Sequence, residues 1–343
     1  MSVVEDPDPA GPPNALRAAR LAWRAAAPGA THLLVVQDDM RLTADFADRC
    51  RLAAAALPGE ILCFFSEWGS RTSHAVRLAT IEGASWVPVL DPYIPTTAVL
   101  LPVAVAEGLA DFAESATGPD DVQVLRYAAE AGLTPLVSVP NLAEHEICES
   151  LIGNDLLMGP RHATLFADDV PGPTAAVDAT VSRLRVVPHL GMFEGIATCH
   201  VRPGPDAPWH VVKAHDYLAP SGLAVADLLR LYAATVDEVD GARAMRSVVA
   251  DSMLVQLWLT AFLYGVVAAE WITDVDRLPD VLAAPLVRAG LRTLAPGALR
   301  RFVPAQLTPL LGELTAPLVT DAMRLGVLHG LLHGEALWKQ SFQ

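Results

Sequence analysis

Residues 30–40, with the sequence ATHLLVVQDDM, decide how the first half of the chain folds. Within them, residues 33–36 form an unbroken run of apolar and β-branched side chains, which is typical of a buried strand. Two adjacent carboxylates, Asp38 and Asp39, follow that strand directly. In open α/β sheets, residues just beyond the carboxyl ends of strands line the crevice where ligands bind. The sequence therefore predicts a candidate site at the end of this strand.

The two aspartates have two interpretations. Their hard oxygen donors suit Mg²⁺ or Mn²⁺, which prefer carboxylate and phosphate oxygens. Aspartate is also common where a strand ends and a turn begins, and it then has only a structural role. The rest of the chain has to distinguish a metal site from a plain turn.

Composition limits the classes of function. A length of 343 residues favours two domains over one, and 52% hydrophobic with 18% charged residues predicts well-packed cores. The formal net charge of −15 argues against non-specific binding to nucleic acid or to anionic membranes, which needs basic patches. An anionic small substrate stays compatible with this charge, because a bound cation can reverse the local field.

Cysteine usage and the N-terminal sequence indicate a cytoplasmic protein. The four cysteines, Cys50, Cys63, Cys148 and Cys199, form no C-x-x-C pair, which favours reduced thiols over a disulfide framework or a zinc site. Residues 1–7 contain neither a basic region nor an apolar segment, so no signal peptide is predicted.

Strand and helix patterns alternate over residues 1–170, which predicts an α/β domain with a mostly parallel sheet. Asn14 and Thr43 are predicted to cap the first two helices, and Gly132 is predicted to end a later one. The polar segment 67–95 is interpreted as an irregular substrate loop that contains one strand. The predicted strands lie at residues 33–36, 61–65, 85–90, 96–101 and 134–139, and the helices at 44–56, 103–112 and 122–131.

Residues 174–343 are predicted to form a second, mainly helical domain, with short strands at 184–187, 196–201 and 210–212. Residues 249–268 are strongly apolar, but Gln256, Thr260 and Gly265 interrupt them. We therefore interpret this stretch as the central buried helix and predict no transmembrane span.

Ten histidines are present, and those of the second half form no ligand-spaced motif. His329 and His333 share a helix face, but a zincin motif needs a glutamate where Gly330 stands. We expect the histidines of this half to be structural or to line a cleft. The sequence leaves three alternative roles open for the second domain: it binds the acceptor, it binds a partner, or it pairs with its own copy in a homo-oligomer.

Four motifs, taken in order, resemble the GT-A class of nucleotide-sugar glycosyltransferases. They are HLLVVQDD at 32–39, TTAVLLP at 96–102, the pair Asp120–Asp121, and VPNLAEH at 139–145 followed by SLIG at 150–153. The resemblance covers roughly the first half of the chain. It implies a GT-A-like domain that transfers a sugar from a nucleotide-sugar donor to a hydroxyl acceptor with the help of Mn²⁺ or Mg²⁺.

The resemblance also implies roles for individual residues. Asp39 would bind the metal, and Asp38 would support the metal or the nucleotide ribose. Asp121, with Asp120 beside it, matches the place of the general base that takes a proton from the acceptor hydroxyl. His145 matches a late histidine that completes the metal shell, which suits Mn²⁺ better than Mg²⁺.

Each of these roles has a structural alternative. Asp120 and Asp121 follow Gly-Pro and precede a helix, where acids stabilise the helix dipole without any catalytic role. His145 stands between Glu144 and Glu146 and could be a solvated loop residue.

The front of the chain departs from the family pattern. GT-A domains begin with nucleotide-binding strands before the acidic motif, whereas only residues 1–37 precede Asp38 here, with Val3 and Val4 as the tail of a strand. The resemblance therefore implies an N-terminally shortened domain. It leaves an alternative function, a catalytically silent relative that serves as a binding or scaffold subunit in a biosynthetic complex.

Overall fold

A computed structural model describes residues 2–146, 158–171, 177–204 and 207–340 of the protein. The chain forms two compact units. Unit 1 comprises Met1–Glu67 and Ser85–Val181, and unit 2 comprises Trp68–Ala84 and Ser182–Gln343. The division predicted from sequence, 1–170 and 174–343, differs from this in two ways: it assigns the segment 68–84 to the first part and the residues up to Val181 to the second.

Unit 1 combines a five-stranded sheet, a two-stranded ribbon and helices. Its strands are β1 (His32–Val36), β2 (Met40–Leu42), β3 (Leu62–Cys63), β4 (Trp86–Pro88), β5 (Ala98–Pro102), β6 (Leu136–Ser138) and β7 (Ala143–His145). The helices up to residue 131 are α1 (Ala15–Trp23), α2 (Phe46–Ala56), α3 (Arg71–Glu82), α4 (Val103–Phe112) and α5 (Asp120–Ala131), of which α3 belongs to unit 2. The sheet has the order β1-β5-β3-β6-β4, and β2 pairs with β7.

The prediction of a mostly parallel sheet was wrong. Within the described residues, β3 and β6 pair in parallel, whereas the pairs β1–β5, β3–β5 and β4–β6 are antiparallel. β1, β3 and β6 do run in one direction, but β5 inserts between β1 and β3 in the opposite one. Alternation along the sequence indicates crossovers between strands, yet it does not say which strands become neighbours.

Local signals set several element ends of unit 1. The Asn14 side chain accepts a hydrogen bond from the backbone N–H of Leu16 at 3.1 Å, and Gly132 ends α5 with a φ of 68°, so both predicted caps are confirmed. The Thr43 cap was wrong: its N–H donates to the Leu142 carbonyl, which continues the ribbon and delays α2 until Phe46. The predicted strand at Val3 and Val4 is not formed.

Aromatic packing forms the centre of the unit 1 core. The rings of Phe46 on α2 and Phe64 beyond β3 meet edge to face, with centroids 5.3 Å apart, and Trp86 lies 6.2 Å from Phe64. The indole N–H of Trp86 is satisfied by the carbonyl of Asp178 at 2.7 Å. α2 therefore covers this part of the sheet, and burial of large rings is a strong contribution to its stability.

The prediction that residues 67–95 form an irregular substrate loop was wrong, because α3 lies within them. Its ends carry ordinary signals: Ser70 accepts from the N–H of Ser73 at 3.1 Å, and Gly83 takes a left-handed φ of 82°. The helix is buried on nearly every side, including its polar residues Thr72 and His74, so its sequence shows no apolar stripe.

Arg77 explains how so polar a helix can be buried. Its guanidinium donates to the carbonyls of Gly290 at 3.0 Å, Trp68 at 2.6 Å and Thr293 at 3.0 Å, and to the Ser73 hydroxyl at 2.8 Å. A buried guanidinium is tolerated only when its donors are satisfied in this way. α3 is thereby fixed to the helices of unit 2.

Unit 2 has a small antiparallel sheet and many helices, so its mainly helical character is confirmed. Its strands are β8 (Val186–Leu190), β9 (Ala197–Val201) and β10 (His210–Lys213), in the order β10-β9-β8. Its further helices are α6 (Ala214–Leu218), α7 (Val225–Glu238), α8 (Ala242–Val248), α9 (Asp251–Ala268), α10 (Leu278–Ala283), α11 (Pro285–Arg292), α12 (Leu294–Leu299) and α13 (Leu311–Gln340).

α9 is the central helix of unit 2. Within the described ranges it is the one helix long and apolar enough to cross a membrane, and 72% of it is buried inside the structure. It packs so closely against α13 that a Cβ on Gly265 would clash with the carbonyl of Met323, and one on Gly326 with that of Phe262. Such backbone contact is what the two glycines make possible.

Three buried histidines meet in unit 2: His74 comes from α3, and His189 and His200 come from the paired strands β8 and β9. His74 and His189 have ring centroids 5.0 Å apart, His189 and His200 are 5.5 Å apart, and the Tyr264 hydroxyl lies 2.6 Å from His74 Nδ1. Burial, reinforced by the neighbouring imidazole of His200 and the charge of Arg71, lowers the pKa of His189 to about 3. Burial and Arg71 lower the pKa of His200 to about 4. The cluster is therefore neutral in the folded protein.

We predict that unit 2 loses stability in mild acid and that His200→Leu reduces the loss. Above pH 6.5 the histidines are neutral in both states; as pH falls from 6.5 toward 4, only the unfolded state gains the proton. Each such histidine then lowers the free energy of unfolding by about 1.4 kcal/mol per pH unit. Denaturant unfolding at pH 7.5, 6 and 5 measures the free energy of unfolding, which should fall less steeply with decreasing pH in the variant than in the wild type. Identical slopes would contradict this account.

Candidate functional site

The ribbon of β2 and β7 determines which residues meet beyond the end of β1. Its register sets Met40 opposite His145 and Arg41 opposite Glu144. The N–H of Glu146 extends the pairing by donating to the carbonyl of Asp39 at 2.8 Å. Because neighbouring strands lie about 5 Å apart, this register brings Asp39 next to His145. We call Asp38 and Asp39 the acidic turn.

The side chains of Asp39 and His145 are in contact. Asp39 Oδ2 lies 3.1 Å from His145 Nε2, and only 5% of the histidine side chain is exposed. Asp39 Oδ1 is buried without a hydrogen-bond partner, and the buried His145 Nε2 has Asp39 Oδ2 as its one described polar contact. Buried polar atoms normally have such partners. A carboxylate oxygen and an imidazole nitrogen are thus close together with unused capacity for a ligand.

The electrostatics of the pair favour an ionised carboxylate. His145 is the largest cause that lowers the pKa of Asp39; burial opposes it, and the positive charge of Arg161 adds to it. The carboxylate therefore carries its negative charge at neutral pH, the form in which it can hold a cation. No motif in the sequence predicts this role for Arg161.

Glu144 anchors the neighbouring segment. Its Oε1 atom accepts from the N–H groups of His145 at 2.9 Å and Ala163 at 3.0 Å, and it lies 3.4 Å from His162 Nδ1. The alternative in which His145 is a solvated loop residue between two glutamates is therefore wrong: both Glu144 and His145 are buried.

A second buried network holds the chain between β6 and β7. Asn141, fully buried, donates to the Ser138 carbonyl at 3.0 Å and accepts from the Ser66 hydroxyl and the Leu165 N–H, both at 3.3 Å. The Ser66 hydroxyl also lies 2.7 Å from that of Thr164. Asn141 thus orients the approach to His145, a role that its place after a predicted strand did not reveal. The SLIG motif at 150–153 lies outside the described residues.

The second acidic pair, Asp120 and Asp121, occupies the first turn of α5. Asp120 accepts a hydrogen bond from the Thr96 hydroxyl at 2.9 Å, and the Asp121 carbonyl accepts from the N–H of Ile94 at 3.2 Å. Burial, and then the charge of Asp120, raises the pKa of Asp121 to about 6. An aspartate with this pKa can accept and return a proton near neutral pH. Its position also fits the alternative in which it only stabilises the helix dipole.

The acidic turn and the pair Asp120–Asp121 both lie at one end of the strands of the five-stranded sheet. β1, β3 and β6 finish at this end of the sheet, and β5 begins there. The N–H of Gln37, just before the acidic turn, donates to the carbonyl of Thr97 at 2.8 Å. Thr96, the preceding residue, holds Asp120. The start of β5 therefore connects the two acidic groups.

The available donors limit what could be bound. In the part of the chain that the structure describes, no group of three or more His, Cys, Asp or Glu side chains could hold a metal ion. Asp39 and His145 offer two donors, and Asp38, in the same turn, makes no hydrogen bond or ion pair to a described residue. The described cysteines Cys50, Cys63 and Cys199 are free and buried.

Comparisons of the chain with protein-family models, with curated proteins and with solved structures found no match. The resemblance to GT-A glycosyltransferases therefore stays a prediction from the sequence motifs.

We predict that the Asp121 carboxyl group titrates with a midpoint of about 6. NMR of ¹³C-labelled aspartate would detect it, and the signal is assigned by its loss in Asp121→Asn. Asp120→Asn should lower the midpoint without restoring the ordinary value of 3.8, because the burial remains. The exposed Asp48→Asn should leave it unchanged. A wild-type midpoint at 3.8 would contradict the buried environment of Asp121.

Proposed function

We propose that unit 1 binds a nucleotide sugar through a divalent cation held by Asp39 and His145, and transfers the sugar to a hydroxyl acceptor. The observation that carries this proposal is the 3.1 Å approach of Asp39 Oδ2 to His145 Nε2, beside a buried carboxylate oxygen without a hydrogen bond. The order of the motifs along the chain supports the same assignment.

The donor chemistry fits such a cation. Mg²⁺ and Mn²⁺ are commonly bound by one or two protein groups, with substrate phosphates and water completing the shell. Two protein donors are therefore sufficient, and the imidazole favours Mn²⁺. When bound, the cation would neutralise the negative charge that develops on the departing diphosphate.

The residues around the pair have complementary tasks in this proposal. Arg161, which already acts on Asp39 through its charge, adds positive potential for the phosphates. Asp38 has a carboxylate free to accept from a ribose hydroxyl or to support the cation. Glu144 and Asn141 hold the two sides of the pair in place through buried hydrogen bonds.

Asp121 is the proposed general base. The acceptor oxygen forms a bond to the anomeric carbon, the bond from that carbon to the diphosphate oxygen breaks, and the acceptor proton passes to the Asp121 carboxylate. With a pKa of about 6, Asp121 is ionised at pH 7.5 and is more basic than an ordinary aspartate. Asp120, fixed by Thr96, keeps a second negative charge beside it.

Calorimetric titration of the full chain with UDP and with GDP, with and without Mn²⁺, tests the donor site. We expect one nucleotide to bind only when Mn²⁺ is present, and Asp39→Asn to weaken that binding about tenfold or more, since it removes a charged ligand. Asp48→Asn is the matched control, because Asp48 is an exposed aspartate of unit 1, and it should bind like the wild type.

Two results would overturn the proposal. One is the absence of binding by either nucleotide to a folded wild-type protein in Mn²⁺, which would favour the silent scaffold subunit. The other is nucleotide binding whose affinity changes neither with Mn²⁺ nor with Asp39→Asn, which would place the nucleotide away from the acidic turn.

A further inference from the structure

Unit 2 contains a cavity of about 430 Å³ that the proposed function does not use. It is walled by α10, α11, α13 and the turn before α10. Of its lining residues, eight are apolar, one is a threonine and three are arginines, and none is acidic. The volume lies in the range of pockets that hold small organic ligands.

The apolar part of the cavity is continuous with the unit 2 core. Leu278 and Leu282 of α10 line it and also pack in the hydrophobic cluster around Ala268 and Val327. Leu291 of α11 adds a further apolar wall. A ligand that fills this space must offer apolar surface, because a purely polar one would lose hydration without gaining hydrogen bonds.

The three arginines give the cavity a positive rim. Arg292 is paired with Glu313 at 2.9 Å, and Arg324 lies 3.8 Å from Asp321. The side chain of Arg288 makes no hydrogen bond or ion pair to any described residue, and it is exposed. Three guanidiniums with two carboxylates leave about one unmatched positive charge, in a chain whose net charge is −15.

We propose that this cavity binds one fatty-acid anion, with its carboxylate against the Arg288 guanidinium. The apolar walls take the chain, and a guanidinium matches a carboxylate with two parallel hydrogen bonds. The single unmatched charge favours a monoanionic carboxylate over a dianionic phosphate monoester. This inference is independent of the proposed function of unit 1.

Calorimetric titration of the full chain with decanoate tests the site. Decanol and decyltrimethylammonium share the chain but lack the negative charge, and decyl phosphate keeps the chain with a different anionic head. Arg288→Gln removes the proposed partner, and Arg243→Gln is the matched control, since Arg243 is exposed on α8 of the same unit. Thr320→Phe, at an exposed position of α13 that lines the cavity, fills the chain site.

We expect decanoate to bind one per chain with a Kd below about 1 mM. Arg288→Gln should weaken it about tenfold while leaving decanol unchanged, because only the charged head loses a partner. Thr320→Phe should weaken both ligands, and Arg243→Gln neither. A thermal-unfolding scan confirms that each variant is folded; Ala283→Phe, also at an exposed lining position, replaces Thr320→Phe if that variant is not.

Several results would overturn the inference. They are the absence of decanoate binding below about 1 mM, equal effects of Arg288→Gln and Arg243→Gln, and equal or tighter binding of decyltrimethylammonium. Tighter binding of decyl phosphate than of decanoate would reject the carboxylate and assign the cavity to an alkyl phosphate.

Discussion

The antiparallel register of β2 and β7 is the constraint on which the candidate site depends. It pairs Met40 with His145, which lies about 100 residues later in the chain. This pairing brings the Asp39 carboxylate into contact with the almost fully buried imidazole of His145. A slip of one residue would turn every side chain of a strand to the opposite face. Glu144 and Asn141 oppose such a slip, because their buried hydrogen bonds tie the chain on either side of β7 to its neighbours.

The site keeps polar groups in states that folding alone would disfavour. Asp39 Oδ1 is buried without a hydrogen bond, and leaving such a group unsatisfied costs about 1–3 kcal/mol. Asp121 is buried enough to raise its pKa to about 6. Asp39 and Asp121 both lie at the same end of the sheet, whereas the core of unit 1 is apolar and aromatic. Perturbed groups concentrated in this way are characteristic of functional sites, and a bound cation would relieve the first cost directly.

The sequence predicted what local patterns encode. The strand β1, the cap at Asn14 and the apolar helix α9 each follow from a few neighbouring residues. The prediction that β1 is buried was wrong, because β1 is the outermost strand of the sheet and is only half-buried. Helix α3 was missed because it is buried on nearly all sides, so its pattern has no stripe even though Ser70 and Gly83 mark its ends. The direction of β5 was missed because pairing is a property of the folded sheet. The assembly of His74 with His189 and His200 joins α3 to the paired strands β8 and β9, more than 100 residues later, which no spacing rule could have revealed.

Pulsed electron paramagnetic resonance of Mn²⁺ bound with whichever of UDP and GDP binds in calorimetry tests the central claim most directly, because it detects nitrogen nuclei that coordinate the ion. We predict modulation from one imidazole nitrogen in the wild type, its loss in His145→Gln and its persistence in His162→Gln, since His162 lies beside Glu144 in the same unit. A wild-type spectrum without nitrogen coupling, or a coupling that survives His145→Gln, would contradict the assignment of Asp39 and His145 as a metal site.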